Sequence, residues 1–316
     1  MKRLIIILSI YSSLPVKAQD VHFSQFSKSS FLVNPSLTSF QQNDYKATLQ
    51  RRSQWKSIAE PFNTLSISVE RKDLFPSHSI GIQFLNDIAG DAKFKTTGFN
   101  FSYSKLFKIT KISSLSMAIG SGIFQRSLSY DNLIFHQTEI YKNINFWFTD
   151  INLGISNQHH INNNTKLVNG VSFFHLNKAK QSLTGDNNVR LNRKVNFHSS
   201  LYHSTNQTLF LLPKIFYSIQ DKDKEFIFAF DTEYLLKGHN NIILKSGLSY
   251  RWKDAIIYNF GAEINSFDCL ISYDVNISSL SEATNNKGGF EFSLVYAWDI
   301  KQKEKKIQPK QCPGYL

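Results

Sequence analysis

Much of what builds familiar architectures is scarce in this 316-residue chain. Its two cysteines, Cys269 and Cys312, are too few for a disulfide framework or a zinc site. After the first 20 positions no apolar run approaches the roughly 18 residues that a membrane-crossing helix needs. Phe226–Phe230 is typical of the longest runs, so a polytopic helical membrane protein is excluded. Acidic residues are outnumbered, 24 against 36 Lys and Arg, for a formal charge of +12. The cations are scattered singly until Lys301, Lys303, Lys305 and Lys306, so no nucleic-acid-binding surface is indicated. That terminal cluster suits phospholipid headgroups, a protein partner or simple solvation. Against two methionines and seven prolines stand 27 Phe, 13 Tyr and 4 Trp. So many rings in a chain of mean hydropathy −0.27 need a surface to sit on.

The chain opens with Lys2 and Arg3, an apolar core from Leu4 to Ile10, and Val16-Lys17-Ala18 before Gln19. This layout predicts a secretory signal peptide over residues 1–18, cleaved after Ala18. No cysteine follows the cleavage site, so lipoprotein processing is not indicated.

Apolar residues recur with a period of two. Phe99, Phe101 and Tyr103 alternate with Asn100, Ser102 and Ser104, and Phe290, Phe292, Leu294, Tyr296 and Trp298 alternate with intervening residues. Such alternation means strands with one apolar face, and no segment holds a helical period. The reading is all-β, with fourteen candidate strands such as 45–50, 80–86, 147–155, 268–275 and 290–298. Connections after odd-numbered strands are the longer ones. An even strand number and loops that lengthen at one end predict a transmembrane antiparallel β-barrel with an apolar outside and a polar inside. The expected layout is an N-terminal periplasmic or plug-like segment at 19–44, the barrel at 45–298 and a periplasmic tail at 299–316. A secreted soluble β-protein would show the same alternation, but segments of nine residues or more suit a tilted membrane span.

Chemistry-bearing constellations are weak. His159 and His160 fall in an Asn/Gln run and are expected, with His175, His198 and His203, to be solvated turn residues. No spacing of Cys, His, Asp and Glu supplies a metal site. No nucleophile elbow, phosphate loop or catalytic carboxylate pair is present, so neither an enzyme nor a cofactor is expected. Asp87-Ile88-Ala89-Gly90-Asp91 reads as a tight loop turn, since two carboxylates fall short of the oxygen ligands calcium takes.

Short motifs then recur in order along the chain: QDVHFSQF (19–26), LVNPSLT (32–38), RRSQWKSIAEPFNT (51–64), NDIAGDAKF (86–94), GVSFFHLNKAKQSL (170–183), LLPKIFYSIQ (211–220), ISYDVNISSLS (271–281), GGFEFSLVY after it, and Cys312-Pro313. Together they resemble the PorP/SprF family of the Bacteroidetes type IX secretion system, with mild departures at Ser36, Ser39 and Lys56. The resemblance implies a non-enzymatic outer-membrane β-barrel that takes part in the secretion or surface attachment of type IX cargo, in gliding bacteria especially. Its implied partners are a cargo protein with a C-terminal secretion domain, other secretion components including periplasmic ones, and outer-membrane lipid. A porin or small-solute channel is the alternative.

With strand 1 starting in the periplasm, Trp55, Pro61, Phe62, Asp87, Gly90 and Asp91 fall in extracellular loops. There they are candidates for contact with a partner or for packing within a loop cap. The same topology puts Cys269 at the periplasmic rim and Cys312 in the tail, one compartment in which either a disulfide or two independent thiols fits.

Overall fold

The computed structural model describes residues 20–54, 61–130, 143–182, 186, 188–238, 242–278, 281 and 286–300. The predicted signal peptide, Trp55, the lysine-rich tail and Cys312 lie outside them.

Fourteen strands follow one another in chain order. They are β1 (Tyr45–Gln54), β2 (Phe62–Phe75), β3 (His78–Ala89), β4 (Phe94–Lys108), β5 (Ser113–Leu128), β6 (Ile144–Asn162), β7 (Thr165–Phe174), β8 (Lys194–Ser204), β9 (Leu209–Gln220), β10 (Asp223–Leu235), β11 (Ile242–Arg251), β12 (Ala255–Ile264), β13 (Phe267–Asn276) and β14 (Lys287–Trp298). Each pairs antiparallel with its neighbour, and β1 pairs with β14 from Tyr45 opposite Trp298 to Gln54 opposite Gly289, closing a barrel. Closure leaves no sheet edge, which is the condition for a sheet to cross hydrocarbon.

The alternation is inverted relative to a soluble protein. On β4, Phe99, Phe101 and Tyr103 are exposed while Asn100, Ser102 and Ser104 are buried. The same holds on β5, where Met117, Ile119 and Ile123 are exposed and Ser116 is buried. Apolar side chains therefore face outward around the wall, and small polar ones face the lumen. At the end where the chain enters and leaves the barrel, rings stack across three strands. Tyr45 lies 5.0 Å from Trp298, Trp298 5.0 Å from Tyr296, and Tyr296 4.5 Å from Phe267, centroid to centroid. Aromatic girdles of this kind mark a membrane interface.

The two ends differ as expected. At the terminal end the links are tight, as in Asn265–Ser266 between β12 and β13, where Asn265 takes φ 55°. At the other end the described residues between β7 and β8 fold back over the barrel mouth, with a bridge between Lys180 and Arg190. Ala179 from this loop packs with Leu85, Phe124 and Phe148, and Val21 and Leu191 border the cluster.

Two expectations are corrected. His159 and His160 are not in a turn but continue β6, opposite Leu167 and Lys166 of β7. Backbone pairing extends a strand past the hydrocarbon, where side chains no longer need to be apolar. His175 and His198 are not solvated either: both are buried facing the lumen.

Candidate functional site in the occupied lumen

A lumen lined with serine, asparagine and opposed charges would fill with water if nothing else entered it. Here residues 20–44 enter it, as a 3-10 turn at Phe26–Lys28, one helical turn at Ser30–Val33 and a 3-10 turn at Pro35–Phe40. The path begins at the loop end, beside the start of β8, and leaves at Tyr45 at the terminal end.

At the loop end, Asp20 Oδ2 lies 2.5 Å from His175 Nε2 and 3.4 Å from Lys194 Nζ, and His175 Nδ1 lies 3.0 Å from Asp150 Oδ1. Burial works against a charged His175, but Asp20 and Asp150 overcome it, and the imidazole pKa is pushed up to about 9. Burial also opposes a charged Asp20, yet His175 and Lys194 hold its carboxyl well below the usual range. His22 shifts the other way: burial, aided by the positive charge of Arg52 and Arg251, holds it well below the ordinary histidine range.

One turn further, the segment meets a buried charge cluster. Arg52 Nη2 lies 2.9 Å and Arg251 Nη1 3.3 Å from Asp274 Oδ2, and Arg251 Nε lies 3.2 Å from Glu225 Oε1. Ser24 Oγ donates to Asp274 at 2.7 Å and accepts from Arg251 Nη2 at 2.9 Å. The backbone amides of Ser24 and Gln25 donate to Glu291, at 2.7 and 3.1 Å. A second cluster lies near the terminal end. Lys28 pairs with Asp268, which Lys245 Nζ also approaches at 2.9 Å while reaching Glu263 at 2.6 Å.

Asn34 is the central pin and is fully buried. Its Nδ2 donates to Ile155 O, Ser156 Oγ and Val171 O at 3.0–3.1 Å and lies 3.2 Å from His198 Nε2. Its Oδ1 accepts from the Ser36 amide at 3.0 Å, capping the turn that Pro35 begins. Gly154 makes this approach possible, because a Cβ there would stand 2.1 Å from Asn34 Oδ1. Ser172 and Asn196 donate to Val33 O, and Ser116 donates to Ser36 O. Apolar contact with the wall includes Phe26 and Val33, which pack with Phe216, Ile227 and Ala229.

Ser156 Oγ and His198 Nε2 stand 3.2 Å apart, a nucleophile–base distance. Ser36 Oγ lies 2.6 Å from that serine, and Asn34 lies on that imidazole, so the space where a substrate would react is taken. Among the described residues no group of three or more His, Cys, Asp or Glu is placed to hold a metal ion.

The loop candidates are only partly brought together. Asp87 belongs to β3, where its carboxylate accepts from Thr64 Oγ1 at 2.6 Å, so the loop begins later than the motif suggests. Gly90, at φ +66°, makes the turn itself, with Phe62 against it, 3.8 Å from where a Cβ would stand. Pro61 is half-buried at the start of β2, and Asp91 is exposed. Cys269 lies near the terminal end of β13 on its outward phase and forms no disulfide with a described residue. The lumen residues Arg52, Arg251, Asp274 and Glu291 were not singled out from the sequence. Their signal is a lone charge at the polar phase of a strand, as in Phe290-Glu291-Phe292.

The profile of a family described as type IX secretion system membrane protein PorP/SprF matches residues 16–296. No curated protein sequence matches. Among solved structures, the toluene transporter TbuX of Ralstonia pickettii is similar at a TM-score of 0.54 and 9% identity, over 85% of this chain and 93% of that one. The CymD monoaromatic hydrocarbon channel gives 0.51 at 8% identity, over 86% and 93%. The toluene transporter TodX of Pseudomonas putida gives 0.50 at 11% identity, over 84% and 91%. At such identities the likeness is one of fold, that of an outer-membrane barrel.

Proposed function

Because this chain belongs to the PorP/SprF family of type IX secretion membrane proteins, we propose that it is a non-enzymatic outer-membrane partner of secreted cargo. It assists the export or surface attachment of a protein carrying a type IX C-terminal secretion domain. Its extracellular loops, with Pro61, Phe62 and Asp91 among them, are the docking face. Other secretion components meet it from the periplasm. Gliding adhesins are the cargo class this reading favours.

The observation that carries the reading is the occupied lumen. A general channel needs a free aqueous path, whereas residues 20–44 here bond to inward-facing groups on strands all around the barrel. With the path filled, the surfaces left for work are the two ends and the outer wall. A partnering role uses those surfaces and needs no pore.

The test has two arms. Deleting the gene should remove its cargo from the cell surface while other outer-membrane proteins keep their levels, and the plasmid-borne gene should restore it. Purified protein in planar bilayers should show no large steady conductance. Undiminished surface display in the deletion strain, together with a steady open conductance, would replace this reading with the solute channel.

A further inference from the structure

The outer wall carries a groove at the seam where the sheet closes. It has a volume of about 670 Å3 and is lined by Arg51, Ser53, Tyr273, Lys287, Phe290 and Phe292 together with Gly288 and Gly289. Arg51 stands opposite Phe292, Ser53 opposite Phe290, and Phe290 opposite Tyr273, all on the outward phase. Pairing between β13 and β14 slips between Tyr273 and Val275, beside Gly288 and Gly289. The rings are half bare: Phe290 is 50% and Tyr273 42% exposed.

The charges in this groove are unusual. Among the described residues no acidic side chain lines it. Arg51 and Lys287 are exposed, and neither forms an ion pair with a described residue.

Depth can be read from the aromatic ladder at the terminal end. Along β14, Lys287 lies roughly 36 Å from Trp298 at ~3.3 Å per residue, or roughly 28 Å in height at a tilt of ~40°. That is about the height of the apolar band of such a barrel, ~25 Å. Lys287 thus reaches the outer-leaflet headgroups. Arg51, level with Phe292, sits lower, among acyl chains, where a guanidinium on a long stem extends upward toward an anion. Two cations without an ion pair to a described residue, Lys287 at headgroup height and Arg51 below it beside a trough of rings, match an amphiphile with a phosphate head and an apolar tail.

We propose that this groove binds one lipid of the outer leaflet whose headgroup carries an exposed phosphomonoester. Arg51 and Lys287 hold its headgroup phosphate, and Tyr273, Phe290 and Phe292 cradle its first acyl chain.

Native mass spectrometry of the full-length protein, exchanged into detergent with diphosphoryl lipid A or with phosphatidylcholine, tests this. One lipid A should be retained per chain, and at least tenfold less by the Arg51→Gln, Lys287→Gln double variant. Arg51→Lys, which keeps the charge, should retain most of it. Both cations are exposed and neither forms an ion pair with a described residue, so the variants should show the same heat-shifted gel mobility as the parent. Equal retention by parent and double variant overturns the proposal, and so does equal retention of phosphatidylcholine by the parent. Displacement of lipid A by millimolar inorganic phosphate would make this a free-anion site and overturn it too.

Discussion

Arg52 of β1 and Asp274 of β13 meet inside the barrel across the width of β14, Nη2 to Oδ2 at 2.9 Å, each at most 2% exposed. Arg251 shares the same carboxylate. Asp274→Ala would leave two guanidiniums buried without their common counter-charge. Breaking a buried pair from one side costs about 3–5 kcal/mol. The expected result is a clear fall in the temperature at which the folded barrel converts to the slower gel form. Arg52→Ala should cost less, because Arg251 still faces Asp274. Equal effects would mean that the cluster does not share the carboxylate.

The start of the lumen segment should respond to pH through Asp20 and His175. His175 has a folded pKa of about 9, above the ordinary 6.5, so its contribution is complete below pH 6.5 and is lost as pH rises through 9. Asp20 is depressed below 3.8, so its contribution is present above that pH and is lost on further acidification. Residues 20–26 should therefore be held most firmly between about pH 4 and 6.5. Hydrogen exchange there, corrected for its intrinsic base catalysis, should accelerate above pH 9. His175→Gln should flatten that alkaline limb. An unchanged limb in the variant would assign the loosening elsewhere.

Gly154 and Asn34 should act as a pair. A methyl group at Gly154 would collide with Asn34 Oδ1 and with Pro35. Gly154→Ala should thus leave a folded barrel whose lumen segment is displaced, visible as protease cleavage within 20–44 and a new conductance in bilayers. Asn34→Ala should act likewise, since each buried group it orphans costs about 1–3 kcal/mol. Asn34→Asp should be worse, because a carboxylate cannot donate to Ile155 O and Val171 O. A sealed, protease-resistant Gly154→Ala protein would contradict the geometry.

Orientation and the two thiols are tested together. In a background with Cys269 and Cys312 replaced by Ser, an impermeant maleimide on intact cells should modify Asp91→Cys. It should reach Asn163→Cys, in the β6–β7 turn, only after permeabilisation. The reverse pattern would invert the barrel. Thiol titration of the denatured, unreduced parent should find two free thiols if the cysteines are independent and none if Cys269 and Cys312 are bonded.

The wall was legible because its physics is local. Hydrocarbon demands an apolar residue at every second position, so Phe99, Phe101 and Tyr103 declare a strand and its outward phase without reference to any other part of the chain. The demand ends at the interface, which is why the polar stretch from Asn157 to Asn162 reads as a turn although β6 continues through it. The lumen was less legible. Asn34 and Ser24 are ordinary polar residues in a segment without periodicity, and their partners at Val171 and Asp274 lie 137 and 250 positions away. Such contacts leave no spacing to read. The motifs around Asn34 and Phe23 mattered as a resemblance before their contacts were visible.

Gln25 touches three consecutive strands at the junction of the first and last. Its side chain donates to Ser272 of β13 at 3.1 Å and accepts from Ser293 of β14 at 2.5 Å, and its carbonyl accepts from Gln50 of β1 at 3.4 Å. The strands that close the sheet on itself are thus also the strands that seat the leading residues, so the seam and the segment inside it share one hydrogen-bonded hub. Gln25→Ala would free Ser272 and Ser293 together, loosening the leader and the junction of β13 and β14 at a single point.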